Sequence, residues 1–248
     1  MRFLAKIAYD GSAFSGFAIQ PDSHIHTIEG KLKEVLQSVG IDSALLYAGR
    51  TDKGVHASAQ MISFESGINW DIKRLKNLLN QKLYPHIYCK NIWITPNDFH
   101  PRYNALWREY RYIATQNTPT VFHSRFVGFE DYGDISRVRE SLGYFLGEHN
   151  FRFFKKQGSV SKSDVRHIFG IRSFLHKDFL IISIRGNGFL RSQVRLMLGA
   201  IFAYGRGEIT KTHLLNQITG QKRTFWQPIS PNGLYLSAVG YEIFGSKL

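Results

Sequence analysis

The stretch of this 248-residue chain best suited to chemistry is Gly49-Arg50-Thr51-Asp52-Lys53-Gly54-Val55-His56-Ala57, where polar side chains crowd one short connection between apolar runs. A carboxylate flanked by Arg50 and Lys53 is expected to stay ionised, and an ionised Asp can act as nucleophile or general base. The same pattern also suits an ion-paired loop aspartate with no chemistry of its own. Two further runs, Phe99-His100-Pro101-Arg102-Tyr103 and Trp107-Arg108-Glu109-Tyr110-Arg111-Tyr112, mix cations with rings. That mixture grips phosphates while stacking unpaired bases. On a strand, alternation puts Arg108, Tyr110 and Tyr112 on one face and Glu109 and Arg111 on the other. Tyr110 would then either meet a ligand or pack in the core with its hydroxyl bonded. In Asn187–Arg195, Arg191 and Arg195 are four apart, so on a helix they share a face, and Arg195 borders an apolar stripe. A half-buried guanidinium needs an anion, for which Asp52 or a surface Glu would serve.

Composition narrows the partners. The 32 Lys and Arg against 19 Asp and Glu give a net charge of +13, which suits a phosphate-rich partner, nucleic acid first. Lys155, Lys156, Lys162, Arg166 and Arg172 form a charge set suited to tracking phosphates. The ten histidines fall into no His-x-x-x-His pattern and there is one cysteine, so no metal is expected. No phosphate loop or Gly-x-Gly-x-x-Gly opens a helix, so no nucleotide cofactor is expected either. The lone Cys89, in an apolar run, excludes an internal disulfide framework and points to a cytoplasmic protein. No apolar run approaches the roughly 20 residues of a membrane span, and Met1 leads straight into a strand pattern.

The elements that must carry these residues follow from periodicity. Strands are expected at 2–9, 44–48, 59–65 and 87–94, with helices opened by Thr27 and by Asp71. The helix after Thr27 turns Ile28, Leu32, Val35, Leu36 and Val39 inward, and the helix after Asp71 turns Ile72, Leu75, Leu78 and Leu79 inward. The order β-α-β-β-α-β is the ferredoxin-like split unit, an antiparallel sheet with two helices on one face. The loop from Asp10 to His26, with Phe14, Phe17 and two histidines, is long for a compact domain. It suits a binding element with exposed aromatics, or a disordered connection. A second half repeats the pattern from residue 106 to 248: a strand at 107–115, a helix from Asp134, a hairpin of 165–175 and 179–185, and a helical stretch 189–204 ending at Gly205. A short helix near 211–218 and a strand over 233–244 follow. The fold class is therefore α+β, two βαββαβ halves split between 1–105 and 106–248.

Several of these stretches together resemble the tRNA pseudouridine synthase A family. They are Tyr9-Asp10-Gly11 with Phe14 and Gly16; Thr27-Ile28-Glu29; Gly49-Arg50-Thr51-Asp52 with Gly54-Val55-His56-Ala57; Phe99-His100 with Arg102; Tyr110-Arg111-Tyr112; Gly147–Phe151; Phe189-Leu190 through Val194-Arg195; and Gly233–Leu236. The resemblance spans nearly the whole chain. It implies the pseudouridine synthase fold with an active-site cleft between the halves, Asp52 as the catalytic aspartate, Tyr110 as the ring against the target base and Arg195 as the basic partner of Asp52. Arg50, Thr51, Lys53, His56, Phe14, Arg102, Arg108 and Arg191 are then the expected substrate-binding residues. The implied reaction is cofactor-free isomerisation of uridine to pseudouridine at positions 38 to 40 of the tRNA anticodon stem-loop, by a homodimer.

The chain departs from the family pattern at Lys53, where Ala is usual, at Phe17-Ala18, at Pro101 and at Ser192-Gln193; none of these replaces a chemical group. Two other readings remain at this point: a pseudouridine synthase acting on other RNA sites, and a non-catalytic tRNA-binding protein, for which charge and strand aromatics serve equally.

Overall fold

The computed structural model describes residues 1–20 and 25–242. In chain order its elements are β1 (Arg2–Tyr9), α1 (Ile28–Gln37), β2 (Leu46–Tyr47), β3 (His56–Glu65), α2 (Ile72–Leu83), β4 (Ile87–Thr95), β5 (Ala105–Thr115), β6 (Gly128–Phe129), α3 (Ile135–Leu142), β7 (Gly147–Asn150), β8 (Val165–His176), β9 (Phe179–Gly186), α4 (Gln193–Gly205), α5 (Lys211–Ile218) and β10 (Leu234–Tyr241). Two compact units emerge, one from Met1–Leu106 together with the chain from Tyr235 on, the other from Trp107–Leu234.

In the first unit, β1 lies between β4 and β3 and runs antiparallel to both. The caps form as expected: the Thr27 side chain accepts from Gly30 N–H and the Asp71 side chain from Arg74 N–H, each satisfying an amide that has no partner in the first helical turn. Both helices cover one face of the sheet, where Leu32, Val35, Leu36, Leu79 and Leu83 meet Ala5, Ile7, Ile62, Phe64 and Cys89. Burial pushes the Cys89 thiol up to about 12, so it stays protonated and unreactive. Ile72 and Leu78 are only half-buried, and the inward stripe runs instead through Leu75, Leu79 and Leu83.

The strand expected at 44–48 is only two residues long, with Ala44 exposed. The edge of β3 that faces away from β1 explains this. β2 pairs there through Leu46↔Ser63 and Tyr47↔Ile62, while β10 takes the other end of the same edge, in parallel, through Tyr235↔His56 and Leu236↔Ala57. The closing strand, grouped by pattern with the second half, thus hydrogen-bonds to β3. Residues 243–244 of that expected strand lie outside the described residues, as do 21–24 of the long loop with His24.

In the second unit β5, β9, β8 and β7 form a mostly antiparallel sheet in that order, with β6 parallel to β5. Tyr112 is fully buried against Phe202 of α4, and its hydroxyl donates to Glu130 Oε1 at 3.2 Å and the Ser230 carbonyl at 3.1 Å. Burial and the Glu130 carboxylate push that phenol far up. The helix expected from 189 begins only at 193. Ser192 adopts a left-handed conformation with φ 59°, the Gln193 side chain folds back to accept from Leu190 N–H at 2.8 Å, and Gln193 N–H donates to the Leu190 carbonyl at 3.1 Å, which makes 190–193 a turn. Arg191 is therefore outside α4, exposed, and shares no helix face with Arg195.

Candidate active site

Asp52 sits at the head of a tight turn. Its carbonyl accepts from Val55 N–H at 3.1 Å, and Gly54 holds φ +80°, a conformation that favours glycine at the third position of such a turn. The turn lifts the Asp52 side chain to a half-buried position, leaves Arg50 and Lys53 exposed, and feeds at once into β3. Arg50 donates to the Tyr47 hydroxyl at 3.1 Å. Thr51 is 6% exposed and His56 1%, so these two expected substrate contacts are structural members of the loop.

The long loop proves to be a brace. Phe14 and Phe17, expected exposed, are buried, because the chain folds back on the Asp52 connection. Phe14 stacks on His26 at 5.1 Å, and Phe17 meets the Tyr47 ring edge-on at 4.7 Å. Phe17 N–H donates to the Thr51 carbonyl at 3.1 Å, and Gly11 N–H to His56 Nδ1 at 3.0 Å. A Cβ on Gly11 would stand 2.0 Å from the Val55 carbonyl oxygen, so only glycine permits this approach. Tyr9 hydrogen-bonds Thr51 Oγ1 through its hydroxyl at 2.8 Å. Neither Tyr9 nor Gly11 drew a role from the sequence. The signal present was the Tyr9-Asp10-Gly11 run at the end of a strand.

In the second unit Tyr110 is half-buried, its ring edge-on to Phe189 at 5.2 Å, on the same strand face as Tyr112. Arg108 donates to the Asn187 carbonyl at 3.1 Å. On the opposite face Glu109 binds Arg185 at 2.8 Å, Arg185 covers the Trp107 ring at 4.2 Å, and Arg111 reaches Ser183 Oγ at 3.4 Å. The alternation read from sequence holds. Arg195 is half-buried on α4, donates through Nε to the Ile229 carbonyl at 2.8 Å, and lies near enough to the Tyr112 phenol to oppose its upward shift. Arg102 is exposed in the first unit, its guanidinium 5.8 Å from the Tyr103 ring centre.

Lys155, expected to track phosphate, is instead held by Asp164 at 2.7 and 2.8 Å, with Ser161 donating to the same carboxylate. Lys155 and Ser161 keep the Asp164 carboxyl below the usual carboxylate range. A lowered folded-state value contributes stability above the unfolded value, about 3.9, and loses it as pH falls through the folded one. The melting temperature of Asp164→Asn should therefore lie below that of wild type at neutral pH, with the gap closing as pH drops below about 4. A gap that stays constant from pH 7 to pH 2 would remove the pair from the account.

A family model described as tRNA pseudouridine synthase matches residues 142–242. The chain is 49% identical over 245 residues to the tRNA pseudouridine synthase A of Helicobacter hepaticus, covering 97% of this chain and 99% of that one. The chain belongs to the tRNA pseudouridine synthase A family. Two other members, from Helicobacter pylori and Campylobacter jejuni subsp. doylei, are 39% and 38% identical over 96% and 97% of this chain and 99% and 100% of theirs. Pseudouridine synthase A enzymes are isomerases, which use no external atoms. Among the described residues of this family member, no group of His, Cys, Asp and Glu is arranged to hold a metal ion, and no helix is long and apolar enough to cross a membrane.

Proposed function

We propose that the chain isomerises uridine to pseudouridine in tRNA, at positions 38 to 40 of the anticodon stem-loop, as a cofactor-free cytoplasmic homodimer. The observation that carries this reading is the near-full-length likeness to tRNA pseudouridine synthase A at 49% identity. In the reaction the C1′–N1 bond of uridine breaks, the uracil turns, C5 bonds to C1′, the C5 proton leaves and N1 regains one, so the atoms balance without a co-reactant. Asp52 acts at the ribose, either attacking C1′ or taking the C2′ proton. Its half-exposed position at the head of a rigid turn supports either role.

Tyr110 lies against the base, and its hydroxyl helps remove the C5 proton later. Phe189 meets that ring edge-on from the side. Arg195 supplies the counter-charge for the carboxylate, and its fixed Nε contact with the Ile229 carbonyl holds the guanidinium in one orientation. A stacked base must leave its helix to be reached, at a cost of a few kcal/mol, and the exposed Arg50 is suited to fill the space it vacates. Lys53, Arg102, Arg108 and Arg191 are assigned to phosphates.

The test is pseudouridine mapping on an unmodified tRNA transcript with uridines at 38 to 40, incubated with the protein and nothing else. Signal at those positions is the expected result. Signal elsewhere would keep the chemistry and discard the site, and tRNA binding without signal would favour a binding protein. Binding itself should weaken steeply with salt, each neutralised phosphate adding about 0.7 to 0.9 to the log-log slope.

A further inference from the structure

We infer that Tyr9 and His56 are positioning residues for Asp52, holding its turn from both sides through two buried polar contacts with the Tyr9–Gly11 segment. The inference rests on the function proposed above. On the near side, Thr51 immediately precedes Asp52, and the 2.8 Å bond from its hydroxyl to that of Tyr9 lies between residues 6% and 5% exposed. On the far side, His56 accepts from Gly11 N–H through Nδ1 at 3.0 Å. Accepting there requires an unprotonated Nδ1, which leaves the ring hydrogen on Nε2. The ring is held flat by stacking on Tyr235, 4.9 Å away with planes 22° apart. Asp10 comes within 3.4 Å of Nδ1, but the same carboxylate oxygen accepts from both the amide and the hydroxyl of Ser12.

Both contacts grip loop residues that bracket Asp52, and both belong to the end of β1 and the turn that follows it. Tyr9 and His56 are too buried to touch RNA themselves. Their effect must pass through the position of the carboxylate, and reaction rates respond to such placement: a misplacement of about 1 Å costs on the order of a hundredfold.

The experiment measures kcat, tRNA Kd and melting temperature for wild type, Tyr9→Phe, His56→Leu and His56→Asn on an unmodified tRNA transcript. Tyr9→Phe keeps the ring and removes only the hydroxyl. His56→Asn keeps an acceptor for Gly11 N–H, and His56→Leu does not. The inference expects kcat to fall about tenfold or more in Tyr9→Phe and His56→Leu, with Kd within about twofold and most of the loss restored in His56→Asn. Unchanged kcat in Tyr9→Phe and His56→Leu, even with lowered melting temperatures, would overturn it by showing a purely structural role. A risen Kd at unchanged kcat would overturn it in favour of substrate contact. Should His56→Leu fail to fold, Tyr9→Phe decides alone. A wild-type protein that forms no pseudouridine would overturn the proposed function, and this inference with it, whereas an active wild type with unaffected variants overturns this inference only.

Discussion

Replacing Asp52 by Asn is expected to lower the single-turnover rate of pseudouridine formation by at least about a thousandfold while tRNA affinity changes by less than about threefold. The substitution keeps the shape of the side chain and removes its charge, and the amide that replaces it is neither a useful nucleophile nor a base near neutral pH. The turn should survive, because Val55 N–H bonds to the main-chain carbonyl of residue 52, not to its side chain. The Tyr9–Thr51 and Gly11–His56 contacts are likewise untouched. A lost rate would then report chemistry and not collapse of the loop. Affinity should hold because the carboxylate gives no attraction to phosphates, which are met by a chain of net charge +13. A variant that retains a rate within about tenfold of wild type would end the assignment of Asp52 as the reacting group.

The second large effect is expected at Gly11. Gly11→Ala adds one methyl group, which would lie 2.0 Å from the Val55 carbonyl oxygen and 2.5 Å from its carbon. Both are backbone atoms, so no side chain can swing away, and β1 must separate from the Asp52 connection. Overpacking of this kind costs about 1–3 kcal/mol or more, and for a chain of this size each kcal/mol lowers the melting temperature by about 2–4 °C. Activity should fall further than stability alone requires, since the displaced segment is the one that braces the Asp52 turn to which the proposed function assigns the chemistry. The measurement is a thermal melt paired with a rate determined well below the melting temperature. A variant with unchanged melting temperature and unchanged rate would show that residues 10–17 do not brace the loop.

Much of the architecture was legible from apolar spacing. Thr27 and Asp71 announce their helices as side-chain caps, and the long apolar-rich runs of β1, β4, β8 and β9 place themselves. The shortfalls have physical causes. The apolar pair Phe189-Leu190 extends the helical pattern of α4 backwards, but the fold-back of the Gln193 side chain stops the helix, and no periodicity records that. Phe14 and Phe17 stand among Gly and Ser, a setting typical of exposed loops, yet burial here comes from a strand connection some 35 residues further on. At the candidate site, Asp52 stood out because polar residues crowd a short connection. The parts played by Tyr9 and Gly11 did not, since neither a hydroxyl nor a missing Cβ says which distant backbone it will meet.

The parallel pairing of β10 with β3 has a consequence for the timing of synthesis. Tyr235 and Leu236 close the edge of β3 at His56 and Ala57, directly after the Asp52 turn, and the Tyr235 ring stacks on His56. The two partners are separated by about 180 residues, so at ordinary translation rates of about 5–20 residues per second the Asp52 loop waits roughly 10–35 seconds for its last support. A nascent chain that has emerged only as far as the second unit would expose the unpaired end of β3, with Asp52 already formed in sequence but not yet fixed in place. The support of the Asp52 loop by Tyr235 would thus be among the last contacts of the first unit to form, well after the strands it completes have been made.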